Sequence, residues 1–455
     1  MAFLDDRYLL SSDTAYGLYE TIKELPFIDP HNHADVKEIA DNRNYADIWQ
    51  VEAATDHYVW EMLRKRGVPE AYITGDRPAQ EKWLRLAAVF EDLIGNPTYE
   101  WIHLDLKRRL GIDALIGPDT GAAIWDAAQN ALQEPAMRPQ ALLRAMNVEH
   151  ICSTDDPVDT LEYHQQLAAT DLATKVHPTF RPDKAMNIFK PDWRDYVAKL
   201  EKRFNASFTS VRDLLDALQQ AHDHFAACGC VASDHGVEVP YAYEVETADA
   251  NAIFRKARHG KQLDEEEMIG FMSFMLNEVA EMDAAKGWVF QLHLGCVRDM
   301  RASLAETVGP DSGGDISDHL IDIVAPLTPL LNRFDKRLKI VLYNLDPNHA
   351  PTLATLARAF GETVSLGSAW WMNDTPIGMR HQLEYIGTVD LLKNFAGMVS
   401  DSRKLLSYGS RNEVFRRTLC DVVGTMVNLG QVPLHLAERL VTYLSYQRPK
   451  ELFGL

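Results

Sequence analysis

Long apolar runs are missing from this chain. None approaches the roughly 20 residues that span a bilayer, and the N-terminal stretch, with Asp5, Asp6 and Arg7, lacks the basic-then-apolar order of a signal peptide. A cytoplasmic protein with no membrane partner is therefore expected. Cysteine is scarce: Cys152, Cys228, Cys230, Cys296 and Cys420 are odd in number and scattered through apolar segments, which suits reduced core thiols rather than a disulfide framework. Basic residues are outnumbered, 46 Lys and Arg against 66 Asp and Glu, for a formal net charge of -20. That balance argues against a nucleic-acid partner, because phosphate binding needs basic surface. An anionic small molecule would have to be held by a few local arginines.

What is present is a repeated pattern. Short runs rich in β-formers end in polar or Gly residues and are followed by stretches of helical period, as in βα units. Strands are expected near residues 26–29, 149–153, 175–179, 230–233, 288–292, 339–343, 363–366 and 397–400. Eight is the number that closes a (β/α)8 barrel of the TIM type, whose catalytic groups lie at the C-terminal strand ends. Such a barrel needs about 250 residues, fewer than the 455 present, and the first two strands lie too far apart for one crossover helix. The expected organisation is an α/β catalytic barrel formed by residues 1–34 and 148–455, with residues 35–147 as a large helical insertion after the first strand. Residues 192–227 read as a second helical stretch, and 309–314 (GPDSGG) as a loop.

The sharpest local signal is Phe27-Ile28-Asp29-Pro30-His31-Asn32-His33. Two histidines two apart in an extended segment point to one face and can share a metal. An isolated His-x-His is as often two unrelated loop residues, but its place after an apolar strand favours the metal. Further ligands are sought at other strand ends, where His293 closes Phe290-Gln291-Leu292-His293 and Asp401 follows Met398-Val399-Ser400. A lone His on an apolar strand is more often a satisfied core residue; several candidates converging on one rim are harder to dismiss.

His-x-His on the first strand with Asp on the eighth is the arrangement of the amidohydrolase superfamily, and the chain closely resembles its uronate isomerase (glucuronate isomerase) branch. The resemblance runs end to end through DPHNH at 29–33, TFRPDKAMNI at 179–188, ASDHG at 232–236, QLHLG at 291–295, GPDSGGD at 309–315, GSAWWMND at 367–374 and MVSDSRKLLSY at 398–408. It implies reversible aldose–ketose isomerisation of D-glucuronate to D-fructuronate and of D-galacturonate to D-tagaturonate, by proton transfer between C2 and C1 through an enediol. It also implies one divalent metal ion, zinc by preference, on His31, His33, His293 and Asp401, a small-molecule hexuronate substrate, and room for a homo-oligomer.

Each implied role has a chemical counterpart. The reaction needs a base, a group to protonate or polarise the carbonyl oxygen, and a clamp on the carboxylate. Asp401, near a cation and Arg403, is the expected base. Tyr58, with His57 next to it, is the expected proton donor or oxyanion stabiliser beside Arg403. Arg181 is the expected clamp, because a guanidinium meets a carboxylate with two parallel hydrogen bonds; the alternative is a pair with nearby Asp183. One of Trp370 and Trp371 is expected to wall the sugar ring and the other to be core. Asp234 and His235 would support the site from behind or be structural. The competing readings are a mononuclear metal-dependent hydrolase or deaminase of the same superfamily, and a sugar-acid binding protein without catalysis. No lysine ends the fourth strand and Asn344 ends the sixth, which speaks against a binuclear hydrolytic site.

Overall fold

Runs of β-branched and aromatic residues form short parallel strands set between longer helices. In the computed structural model, which describes residues 3–455, the strands are β1 (Phe27–Asp29), β2 (Val148–Cys152), β3 (Lys175–His177), β4 (Ala232–Val237), β5 (Val289–Leu294), β6 (Cys296–Val297), β7 (Ile316–Ser317), β8 (Lys339–Asn344) and β9 (Val364–Leu366). β6 and β7 pair only with each other, antiparallel. The rest form two parallel sheets, β1-β2-β3 and β4-β5-β8-β9.

Single bridges join the two sheets into a ring. Phe180, just past β3, bridges Asp155 and Ser233 in parallel, giving its N–H to the Ala232 carbonyl while the Asp234 N–H bonds to its own. On the far side Ala396 N–H donates to the Leu366 carbonyl, and Asp401 N–H to that of His31. β5 is buried along its whole length and β8 at all but its first residue, as befits barrel strands covered on both faces.

The eighth segment departs from expectation, since residues 397–400 close the ring without becoming a regular strand. Gly397 sits at φ 115°, outside the extended region, and a side chain replaces the missing ladder: Asp29 accepts the Ser400 N–H at 2.9 Å and also its hydroxyl. The fourth strand runs later than expected, from Ala232 to Val237, which carries Asp234 and His235 within the strand.

Between β1 and β2 only helical segments occur, from Val36–Asp41 to Pro139–Ala145. Asp35, Asp47, Asp56 and Asn96 start four of them by accepting backbone N–H groups, the usual N-cap chemistry. Their apolar faces share one core with Phe27, Val148, Ile151, Leu405 and Leu406, so these helices are packed onto the first two strands. The 192–227 stretch is two helices, Trp193–Phe204 and Val211–Ala227, divided where Asn205 turns left-handed and Ser210 with Asp213 forms a capping box. The long helix Ser407–Asn428 lies against the helix Asp13–Ile22. From it Arg416 donates to the carbonyls of Ile22, Lys23, Leu25 and Pro26, fixing the chain's entry into β1. All five cysteines are free thiols and four are buried. Among the described residues no helix is long and apolar enough to cross a membrane.

Candidate active site

The C-terminal ends of the strands open onto a cavity of about 690 Å³, a size suited to a small ligand. Its lining includes His31, His33, His57, Arg181, His293, Trp370, Trp371, Asp401 and Arg403. Residues as far apart in the chain as His31 and Arg403 meet because β1 and the eighth segment are neighbours in the ring.

Asp401 adopts a left-handed backbone, φ 48°, which Asp tolerates better than most residues. Its Oδ1 lies 3.1 Å from His31 Nε2 and 3.2 Å from His33 Nε2. Burial alone would push its carboxyl up, but the hydrogen bonds and charge of His31 and His33 hold it well below the usual carboxylate range. Asp401 is therefore an anion at neutral pH.

A second cluster shares His31. His293 Nδ1 is 2.6 Å from Asp234 Oδ1, His31 Nδ1 is 3.7 Å from Asp234 Oδ2, and the two imidazoles lie tilted at 38° with centroids 4.3 Å apart. Burial lowers His293 to about 4 despite the attraction of Asp234, so its ring is neutral. His293 Nε2, His31 Nδ1 and Asp234 Oδ2 are buried with no hydrogen-bond partner, an unusual state for polar atoms. Two groups, His31–His33–Asp401 and His31–Asp234–His293, each bring their ligand atoms within 4.8 Å of one another. Imidazole nitrogens and carboxylate oxygens gathered this closely are the donor types that a divalent metal ion takes. Asp234, expected only behind the site, thus stands among the candidate ligands.

The anion-binding side is made of arginines. Arg181 Nε is 3.1 Å from Asp183 and 3.3 Å from Asp234, so the pair with Asp183 considered from sequence is formed, and a second carboxylate joins it. Gly236 permits this: a Cβ there would come within 2.4 Å of Arg181 Nη2. Arg298, not singled out from sequence, lies over the Trp371 ring at 5.0 Å and pairs with Asp311 and Asp315. Arg403 lines the same cavity with no ion-pair partner among the described residues.

The remaining expected residues divide. His57 lines the cavity with Nδ1 held 3.1 Å from Glu61. Tyr58 is stacked on it, centroids 4.5 Å apart, but is not part of the lining, and its guanidinium neighbour is Arg411, 5.0 Å over the ring, rather than Arg403. The hydroxyl is buried without a partner and burial holds its proton well above the ordinary tyrosine value. Both tryptophans, not one, face the cavity, and both also belong to a core cluster with Tyr343 and Val399. His235 is fully buried against Ser233 and Asp183 and does not reach the cavity. Arg411 bonds Asp374 and the Ser400 carbonyl while stacked on Trp101. Such a long-range hub leaves no local signal in sequence.

A profile of the glucuronate isomerase family matches residues 1–453. The chain is 51% identical to a uronate isomerase of Thermotoga neapolitana over 451 residues, 99% of each chain. Among solved structures, a uronate isomerase from Thermotoga maritima superposes with a TM-score of 0.98 at 50% identity, covering 100% of both chains. A glucuronate isomerase from Caulobacter crescentus superposes at 0.95 and 29% identity, with 100% of this chain and 97% of that one covered.

Proposed function

The chain belongs to the glucuronate isomerase family, and from that membership we propose that it interconverts D-glucuronate with D-fructuronate and D-galacturonate with D-tagaturonate. The observation that carries the chemical reading is an ionised Asp401 in one cavity with Arg181, Arg298 and Arg403. A base and an anion site face the same space, as proton transfer on a sugar acid requires. The hydrolase reading has no need of such arginines.

In this reading the substrate's carboxylate lies among the arginines, with Arg181 as one arm and unpaired Arg403 as another. Asp401 takes the proton from C2 while the C1 carbonyl oxygen gains one, giving the enediol. The proton on Asp401 then returns to C1 as the O2 hydroxyl releases its own. His57, held through Nδ1 by Glu61, is the group in the cavity suited to exchange the oxygen-bound protons. Tyr58 acts through it, since its stacked ring and high pKa make it a fixed support rather than a base. Trp370 and Trp371 exclude water from one wall.

His31 and His33 with Asp401, or His31 and His293 with Asp234, would hold one divalent ion, for which zinc is proposed from the nitrogen and carboxylate donors. When bound it supplies positive charge that orients substrate oxygens. The cytoplasm is the proposed location, where free thiols persist. The test is incubation of the purified protein with each uronate, the ketose being identified by NMR. Formation of neither ketose would refute the reading.

A further inference from the structure

Arg298 Nη1 donates to two carboxylates at once, Asp311 Oδ1 and Asp315 Oδ2, each at 2.9 Å. The two partners are unlike. Asp315 is buried, its side chain 2% exposed, and it also accepts the Asp299 N–H at 2.8 Å. The Asp311 side chain is 55% exposed and makes no other hydrogen bond among the described residues. Its backbone is held from the flank, because Arg64 donates to the carbonyl of Ser312 and the Ser312 hydroxyl to that of Gly309. The side chain can therefore leave Arg298 by rotating, without the turn opening.

Asp311 also lines the cavity in company with Arg181, Arg403 and His33. Partial burial would raise its carboxyl pKa, but the charges of Arg298, Arg403, Arg181 and His33 outweigh this and hold it below the ordinary value. A protein carboxylate thus lines one cavity with three guanidinium groups, and one of these, on Arg403, has no ion-pair partner among the described residues.

We infer that Asp311 occupies the substrate-carboxylate position of the ligand-free site and sets its affinity for an anion, the uronate carboxylate replacing Asp311 on Arg298 while Asp315 stays in place. The inference rests on the proposed function for the identity of the anion. The exchange swaps one carboxylate for another, so Arg298 is never left unpaired, which would be the costly event in a partly buried site. A neutral sugar has no carboxylate to exchange and binds with Asp311 still on Arg298, so the competition acts on acids alone.

The test compares Asp311→Asn and Asp311→Ser with wild type. Two quantities are followed: kcat/KM for D-glucuronate and D-galacturonate, and the dissociation constant of acetate from NMR titration. Both substitutions remove the competitor, so kcat/KM rises and acetate binds more tightly by the same factor, roughly two- to five-fold, the range for a half-exposed ion pair. Asp315→Asn does the opposite in both measurements, because the fixed anchor of Arg298 is lost. A fall in kcat/KM, or unchanged acetate binding, in Asp311→Asn and Asp311→Ser would overturn the inference, as would Asp315→Asn behaving like them. Wild type that isomerises neither uronate, with acetate still bound more tightly by the Asp311 variants, would overturn the proposed function and leave this inference standing.

Discussion

His31 belongs to both clusters of potential metal ligands, with Nε2 toward Asp401 and Nδ1 toward Asp234. That double role was hidden in the sequence, where the His-x-His spacing pointed to a metal but could not show that Asp234 would rise from the middle of β4 to meet His293. If the donor set is as proposed, His31→Ala and His33→Ala both lose metal, measured by elemental analysis of purified protein, and activity falls in step. Full metal content with normal turnover in both variants would remove the assignment. Arg181 raises a different question, because its guanidinium already serves Asp183 and Asp234. Arg181→Lys keeps the charge but loses the fork, and a charge pair broken outright costs roughly 2 to 5 kcal/mol. The expected outcome is a raised KM for uronates with a smaller change for a neutral hexose. Equal losses would make Arg181 a scaffold for Asp234 and leave the clamp to Arg298 and Arg403.

At the level of elements, regular strands were legible where alternation and apolar runs were strong, as in β5 and β8, whose burial follows directly from composition. The eighth segment was placed correctly but not its conformation, since nothing local announces that the Asp29 carboxylate will accept the Ser400 N–H. The β6–β7 pair escaped notice because two-residue strands carry no period. β8 and β9 support the site through one contact: Tyr343 lies parallel to His293, centroids 4.3 Å apart, and its ring packs over Gly367, where a Cβ would stand 2.0 Å from Tyr343 Cε1. Gly367→Ala must displace the ring toward His293. The expected cost is about 1 to 3 kcal/mol of stability, the usual price of overpacking, together with reduced activity, read by thermal unfolding and turnover. Unchanged values of both would show that the ring has freedom the packing denies.

Over the whole molecule, the (β/α)8 plan was readable from strand count and spacing, and so were nine residues of the cavity lining. The long-range polar links between the helices of 36–145 and the barrel were not. Lys404, one residue beyond Arg403, is buried with Glu52 at 3.0 Å, Asp56 at 3.3 Å and Asp105 at 4.0 Å. Three acids against one lysine is more negative charge than burial tolerates, and burial pushes the Glu52 carboxyl from 4.5 up to about 8 against the pull of Lys404. A folded pKa above the unfolded one means that the folded state keeps a proton the unfolded chain loses. The resulting stability is complete below about pH 4.5 and is lost as pH rises through about 8. Glu52→Gln abolishes this dependence, so the variant's Tm should gain on wild type steadily between these limits. A difference independent of pH would contradict the protonated state of Glu52.

The central claim is that Asp401 moves the C2 proton of a hexuronate, and proton exchange at C2 in deuterium oxide tests it most directly. General-base catalysis contributes roughly 10²- to 10⁴-fold. Followed by NMR with metal-loaded protein, wild type should introduce deuterium at C2 of the aldose, and Asp401→Asn should lose exchange and kcat together by about that factor. Exchange at C2 persisting near the wild-type rate in Asp401→Asn would show that another group takes the proton, and would leave Asp401 as a metal ligand alone.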